Sequence, residues 1–323
     1  MKKIISVITV LCLILVFFAG CGDAENNNAK FKIVTTSFSA YDWTSNILGE
    51  KADNYSLELL SNNGVDMHSY QPTTDDIIKI SECDILVYVG GESDSWVKKV
   101  LKTATNKNMQ IINMLETVGD AALKEEVVEG MTDDEHEGHN HENEQEKADE
   151  HIWLSLRNAI TVCEKIANAV SKVDSLNTDY YNENTENYKN KLKTLDSKYS
   201  EILKDKSKAL IFADRFPFRY LTEDYGLKYY ACFPGCSAET DASFDSVIFL
   251  SDKIDELNIG SVFVIEGSDK KIAQTVINNT KNKNQRVLSL DSMQAVTMES
   301  IEKGLSYISV MEKNLNNIKI SLD

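Results

Sequence analysis

Short apolar runs alternate with amphipathic segments along the first third of this chain. The runs that read as strands are residues 31–36, 56–60, 84–89 and 109–114. Helical patterns fall between them, at residues 38–49, 73–82 and 93–104. Strands that alternate with helices are typical of a parallel sheet covered by helices. The pattern therefore predicts an α/β lobe of about four strands.

The same alternation returns near the other end of the chain. There the predicted strands are residues 208–213, 228–233, 261–265 and 286–290, and the predicted helices are 217–225, 243–256, 269–279 and 298–316. A long polar helical region, residues 157–205, separates the two patterns and is interrupted near 175–178. We predict an α/β fold of two lobes, each with a four-stranded, mainly parallel sheet and flanking helices, joined by one long helix. The predicted boundaries are residues 31–175 for the N-terminal lobe with its acidic loop (120–150), 176–206 for the linker helix, and 207–323 for the C-terminal lobe.

The first residues have the pattern of an export signal. A basic start, Met1-Lys2-Lys3, precedes an uncharged apolar run from Ile4 to Gly20. This run is shorter than the ~20 residues of a spanning helix and ends at small residues, as secretory signals do. Ala19-Gly20-Cys21 also resembles a bacterial lipobox. We predict a signal peptide (1–20), a lipidated Cys21 on a tether (21–30), and a location on the extracytoplasmic face of the cell membrane.

Charge and cysteine content narrow the function. The formal net charge of −17 should repel nucleic acid and anionic lipid heads. Cys83 and Cys163 lie in apolar periodic stretches and are typical of small core residues. Cys232 and Cys236 flank the turn sequence Phe-Pro-Gly, and a disulfide, a metal site and free thiols are all compatible with that spacing.

The five histidines are the most informative residues. Three of them, His136, His139 and His141, lie in the run EHEGHNHE within an acidic segment, and His151 follows that segment directly. His68 stands alone after the second predicted strand. Imidazole is a good ligand for zinc, copper, nickel and iron, and a His-rich acidic tract is a metal-binding composition. The histidine pattern therefore favours a metal-binding protein.

Acidic residues follow several predicted strands of the C-terminal lobe. Asp214, Glu266 and Asp291 each lie at or just after a strand end. Ligands of open parallel sheets bind beyond the carboxyl ends of the strands, so two facing lobes would bring these groups and His68 to one cleft. The alternative is that each is a helix cap or turn residue.

At these residues the chain resembles a known family, the zinc and manganese solute-binding lipoproteins of ABC importers. The segments that carry the resemblance are Gly64-Val65-Asp66-Met67-His68-Ser69-Tyr70-Gln71-Pro72, His151-Ile152-Trp153-Leu154-Ser155 and Leu290-Asp291-Ser292-Met293. The acidic His-rich loop is similar to that of the zinc-specific branch. The resemblance implies a rigid bridging helix, limited domain closure, and partnership with a membrane permease and its ATPase.

The resemblance also implies a ligand set. We expect Zn²⁺, with Mn²⁺ as the alternative, to be bound by His68, His151 and Asp291 in a monomeric receptor. The loop histidines would form a weak outer trap. The chain departs from the family at Arg215, which occupies the slot of a further His or Glu ligand and cannot bind a metal because its guanidinium stays protonated. Asp214 is the candidate replacement, with Glu239 and Glu266 as weaker candidates.

Two other classes of function remain open. His139-Asn140-His141-Glu142 has some similarity to a metallohydrolase ligand run, although the chain has no HExxH helix, no G-x-S-x-G elbow and no phosphate loop. A surface adhesin or metal chaperone could use the same metal site. We predict a binding receptor and no enzyme.

Overall fold

The structure, a computed structural model, describes residues 30–131, 147–236 and 242–323. Outside these described residues lie the predicted leader with Cys21, the loop histidines His136, His139 and His141, and Glu239. Within the described ranges, no helix combines the length and the apolar character needed to cross a bilayer.

Four parallel strands form the sheet of the N-terminal lobe. They are β1 (Phe31–Thr35), β2 (Tyr55–Leu59), β3 (Ile85–Tyr88) and β4 (Gln110–Asn113). Their order across the sheet is β2-β1-β3-β4, and every neighbouring pair is parallel. All residues of β3 are buried, because a central parallel strand is covered on both faces. This explains its uninterrupted apolar sequence.

The C-terminal lobe repeats this topology. Its strands are β5 (Leu210–Phe216), β6 (Tyr229–Pro234), β7 (Ser261–Ile265) and β8 (Arg286–Leu290). They are parallel and follow the order β6-β5-β7-β8. Two four-stranded parallel sheets with flanking helices confirm the predicted fold class.

Eleven α-helices are present in the described residues. They are α1 (Phe38–Leu48), α2 (Thr74–Glu82), α3 (Val97–Thr103), α4 (Met114–Val118), α5 (Leu156–Val173), α6 (Thr178–Leu203), α7 (Arg219–Tyr225), α8 (Phe244–Leu257), α9 (Lys271–Asn279), α10 (Met298–Glu302) and α11 (Tyr307–Leu322). The predicted interruption near 175–178 is a short 3-10 turn between α5 and α6.

The predicted helix 298–316 is wrong, because the segment contains two helices. The backbone turns at Gly304, whose φ of 94° is readily adopted only by glycine. Ser306 then starts α11 with a capping box, in which Ser306 and Ser309 exchange side-chain to backbone hydrogen bonds. These local signals end one helix and begin the next within four residues.

Helix α6 connects the two lobes through tyrosines on one face. Its 26 residues extend about 39 Å at 1.5 Å per residue. Near its middle the Tyr188 hydroxyl donates to Asp42 Oδ2 of α1 at 2.9 Å. Further along, the Tyr199 hydroxyl donates to the carbonyl oxygen of Met311 in α11 at 2.6 Å. The helix is therefore hydrogen-bonded to both lobes.

The largest hydrophobic core cluster of the described residues runs through both lobes. It includes Ile33 of β1, Leu192 of α6 and Phe212 of β5, all fully buried. Separating the lobes would expose this apolar surface at about 25 cal/mol per Å². The packing therefore opposes a wide hinge motion, in keeping with the limited closure expected from the sequence.

The buried carboxylate of Asp42 gives a test of the α1–α6 contact. Burial raises the pKa of Asp42 to about 6, against hydrogen bonds from Tyr188 and from the backbone of Tyr307 that lower it. The folded pKa thus lies above the unfolded pKa of about 4. Between these values the folded state binds more protons, so this group's contribution to stability falls as pH rises.

We expect Asp42→Asn to abolish the loss of stability that ionisation of Asp42 causes as pH rises. Relative to the wild type, the variant should gain up to about 3 kcal/mol in free energy of unfolding between about pH 4 and about pH 7, since one pKa unit corresponds to about 1.4 kcal/mol. Urea unfolding across this pH range measures the difference. Asp120→Asn, at an exposed position, is the control. Parallel pH profiles for the wild type and Asp42→Asn would contradict this account.

Candidate metal centre

Two histidines from distant segments meet between the lobes. His68 lies in the 3-10 turn Met67–Ser69, which follows β2, and His151 immediately precedes the 3-10 turn Ile152–Leu154 that leads into α5. Their Nε2 atoms are 3.1 Å apart. The structure thus brings together the two histidines that the sequence singled out as ligands.

The ring of His151 is held by the carboxylate of Asp149. The His151 side chain is fully buried, and its Nδ1 lies 2.8 Å from Asp149 Oδ1. The same oxygen accepts the backbone N–H of His151 at 2.8 Å. A carboxylate that accepts a hydrogen bond from Nδ1–H keeps the proton on that nitrogen and leaves the lone pair on Nε2. Metal-binding imidazoles are usually supported in this way.

The ring of His68 is oriented by a serine and a buried glutamate. Ser93 Oγ is 2.6 Å from His68 Nδ1 and donates its proton to Glu150 Oε1 at 2.8 Å. The serine therefore accepts from Nδ1, and the proton of His68 lies on that nitrogen. Both histidines direct the lone pair of Nε2 at the same point.

The pKa values of the two imidazoles are shifted in opposite directions. Burial and, to a smaller extent, the neighbouring His151 lower the pKa of His68 to about 3. The pKa of His151 is raised although burial opposes this, because Asp149 stabilises its charged form. Two imidazolium rings at this distance would repel each other. A proton taken up by the pair is therefore held by His151, while His68 stays neutral.

Cys236 is the third donor at this point. His68, His151 and Cys236 form the one group of three His, Cys, Asp or Glu residues in the described ranges whose ligand atoms lie within 4.8 Å of one another. Cys236 Sγ also donates to Glu150 Oε1 at 3.5 Å. Burial and the charge of Glu150 raise the pKa of this thiol. Zinc is commonly bound by imidazole nitrogen and cysteine sulfur, so these residues fit a zinc ion.

Gly235 allows the Cys236 turn to approach His151. A Cβ atom at Gly235 would lie 2.8 Å from His151 Cε1 and 2.9 Å from the carbonyl oxygen of Phe216. Any larger residue would push the turn away from the imidazole. The four cysteines of the described residues are free, so Cys236 is not bonded to Cys232 here.

Gln294 completes the centre and was not identified from the sequence. Its side-chain nitrogen donates to His68 Nε2 at 2.6 Å and to His151 Nε2 at 2.8 Å. It occupies the point on which the lone pairs converge, and rotation of the amide would present an oxygen there instead. Its place just after the Asp291 motif was the one available signal, since a glutamine carries no characteristic ligand pattern.

The predicted carboxylate ligands lie outside the group formed by His68, His151 and Cys236, and the ligand set expected from the sequence stays a prediction. Asp291 Oδ1 accepts the N–H of Met293 at 2.9 Å. Asp214 accepts the N–H groups of Arg215 and Ile265. Glu266 accepts from the backbone and hydroxyl of Ser292 and from the N–H of Gln294. These carboxylates cap turns and loops, the alternative that the sequence left open.

Arg215 has a structural partner. Its guanidinium Nη2 lies 2.6 Å from Asp66 Oδ2, and Asp66 Oδ1 accepts the backbone N–H of His68 at 2.9 Å. The Arg215–Asp66 pair therefore connects β5 to the His68 turn. The prediction that Arg215 does not bind metal is consistent with this geometry.

Two parallel α/β lobes enclose a pair of oriented imidazoles, an arrangement that can hold a metal ion. The sequence profile of the ZnuA family, described as zinc-uptake complex component A, periplasmic, matches residues 33–320. The chain belongs to this family.

Individual relatives agree with this assignment. The chain is 31% identical over 331 residues to the zinc-binding lipoprotein AdcA of Streptococcus pneumoniae, covering 100% of this chain and 62% of that protein. It is 29% identical over 319 residues to the high-affinity zinc uptake system protein ZnuA of Bacillus subtilis, covering 96% and 95%. Its fold matches the Zn(II)-bound ZnuA-like domain of S. pneumoniae AdcA with a TM-score of 0.71 at 28% identity, covering 91% of this chain and 100% of that domain. The chain thus spans about three-fifths of the length of the AdcA relatives.

The close approach at Gly235 generates a prediction. Gly235→Ala should lower the affinity for Zn²⁺ by about tenfold, because its methyl group displaces either Cys236 or the His151 ring, and support groups around metal sites contribute about 10–100-fold. Calorimetric titration of chelator-treated protein measures the affinity. Gly260→Ala is the matched control, since no atom lies within 4 Å of its added Cβ. Equal affinities for both variants would refute the role of Gly235.

Proposed function

We propose that this chain is the extracytoplasmic receptor of an ABC importer, and that it captures zinc and delivers it to a membrane permease. The observation that carries the proposal is the pair of imidazoles, one buried and one partly buried, whose Nε2 atoms lie 3.1 Å apart with both Nδ1 atoms engaged. Such a pair presents two lone pairs to one cation. The printed names of the relatives, a zinc-binding lipoprotein and a zinc uptake protein, support zinc as the cargo.

The donor atoms favour zinc over manganese. Manganese prefers carboxylate and water oxygens, whereas imidazole and thiolate suit zinc. The carboxylates of Asp291 and Asp214 are engaged by backbone N–H groups. A site built on His68 and His151 is therefore better matched to zinc. The carboxylate ligands expected from the sequence stay a prediction, which the Asp291→Asn variant below tests.

We further propose that the chain acts at the membrane surface through a lipid on Cys21. The apolar leader and the Ala-Gly-Cys junction support export and lipidation, and AdcA carries the name lipoprotein. The partners would be an integral permease and its cytoplasmic ATPase. A monomer suffices for this role, because His68 and His151 come from one chain.

The central prediction concerns the two histidines. His68→Ala and His151→Ala should each lower zinc affinity by more than about a hundredfold, because loss of an outer support alone costs about 10–100-fold. Calorimetric titration of chelator-treated full-length protein in detergent measures this. Simultaneous replacement of His136, His139 and His141 by Asn is the comparison, and should leave the tight site intact. The proposal fails if the wild type has no tight site or if both single variants bind as it does.

A second prediction separates import from adhesion. Deletion of the gene should lower zinc uptake under zinc limitation, and the wild-type gene should restore it. Cys21→Ser should move the protein from the membrane fraction to the soluble fraction and restore uptake less well. Isotope uptake and cell fractionation measure both effects. Unchanged uptake in the deletion strain would instead favour an adhesin or metal chaperone.

A further inference from the structure

Cys236 is the one described residue that joins the two histidines as a potential metal donor. Its ligand atom and those of His68 and His151 all lie within 4.8 Å of one another. The thiol is brought there by strand β6, which ends at Pro234, and by the close turn at Gly235. Sequence separation from the histidines is large, so the contact is a property of the tertiary fold.

The surroundings of the centre leave a place for a sulfur donor. Arg215 is paired with Asp66 and has no lone pair to offer. The nearest carboxylates are directed elsewhere: Glu150 accepts from Ser93, and Asp149 accepts from His151. Two neutral imidazoles alone would give an incomplete shell, since zinc is usually bound by three or four protein ligands.

We propose that Cys236 is the third protein ligand of the cargo metal, so that the receptor binds through a His₂Cys set formed by His68, His151 and Cys236. This inference rests on the proposed function and deepens it, because it names the class of metal that the site selects. On binding, a metal–sulfur bond forms and the S–H bond breaks. The proton passes along the existing hydrogen bond to Glu150 Oε1, and the carboxylate takes it up.

A thiolate ligand changes which metal ions the site prefers. Sulfur favours zinc and other soft or borderline cations, whereas manganese and magnesium prefer oxygen. The His₂Cys set should therefore discriminate strongly against manganese. Replacing the sulfur by the hydroxyl of serine should weaken zinc binding and reduce the difference between the affinities for zinc and for manganese.

The test uses cobalt as a spectroscopic substitute for zinc. Full-length protein in detergent is stripped with chelator and titrated with Co²⁺. The wild type should show a thiolate-to-cobalt charge-transfer band in the near ultraviolet as well as the visible d–d bands. Cys236→Ser should lose the charge-transfer band and keep d–d bands, because His68 and His151 remain. Its zinc affinity should fall at least about tenfold.

Two matched variants complete the design. Cys232→Ala removes a buried thiol on strand β6, which precedes the Cys236 turn. This thiol belongs to the core cluster of the C-terminal lobe, so the variant should keep the charge-transfer band. Asp291→Asn keeps an oxygen acceptor for the N–H of Met293 and reports whether the carboxylate expected from the sequence also contributes to zinc binding. Circular dichroism of each metal-free variant checks that the fold is retained.

The outcomes distinguish this inference from the proposed function. Tight cobalt and zinc binding without a charge-transfer band, with Cys236→Ser equal to the wild type, would overturn the role of Cys236 and leave the receptor function standing. A large loss in Asp291→Asn without one in Cys236→Ser would do the same in favour of a carboxylate ligand. No binding of either metal by the wild type would instead overturn the proposed function.

Discussion

The structure depends on one electrostatic constraint, that two neighbouring imidazoles must direct lone pairs at the same point. This is possible only if each ring carries its proton on the opposite nitrogen. Asp149 provides the acceptor for His151, and Ser93, itself donating to Glu150, provides it for His68. Without these acceptors the rings could rotate or change tautomer. The acidic residues around the centre therefore act through the histidines.

The constraint can be met because the two lobes form one packed body. Helix α6 is hydrogen-bonded to α1 near its middle and to α11 near its C-terminal end, and its apolar residues join a core that includes both sheets. The lobes also meet directly at the site, where the backbone N–H of Met67 donates to the carbonyl oxygen of Gln294 at 3.2 Å. The His68 turn is thus positioned by the opposite lobe. Ligand positions in such a body change little unless the core itself rearranges.

The charges around the two histidines limit which further groups can lie beside them. Arg215 brings a permanent positive charge close to His68, and Asp66 neutralises it. The carboxylates that the sequence offered as ligands are engaged in stabilising turns. Sulfur from Cys236 and an amide from Gln294 lie beside the imidazoles instead. A centre rich in nitrogen and sulfur favours zinc without a cluster of buried, mutually repelling carboxylates.

The sequence by itself determined the local features. All eight strands follow from short apolar runs, because buried parallel strands need uninterrupted apolar residues, and His68 and His151 stood out since histidine is rare in this chain. The sequence pattern predicts one helix where the structure has two, at residues 298–302 and 307–322, because a single glycine is a weak signal for the end of a helix. Only the tertiary structure decided which groups converge. Cys236 and Gln294 reach the histidines from remote positions, and Asp291 turns to its own backbone, because hydrogen-bond competition and chain packing set these directions and neither is encoded by spacing along the chain.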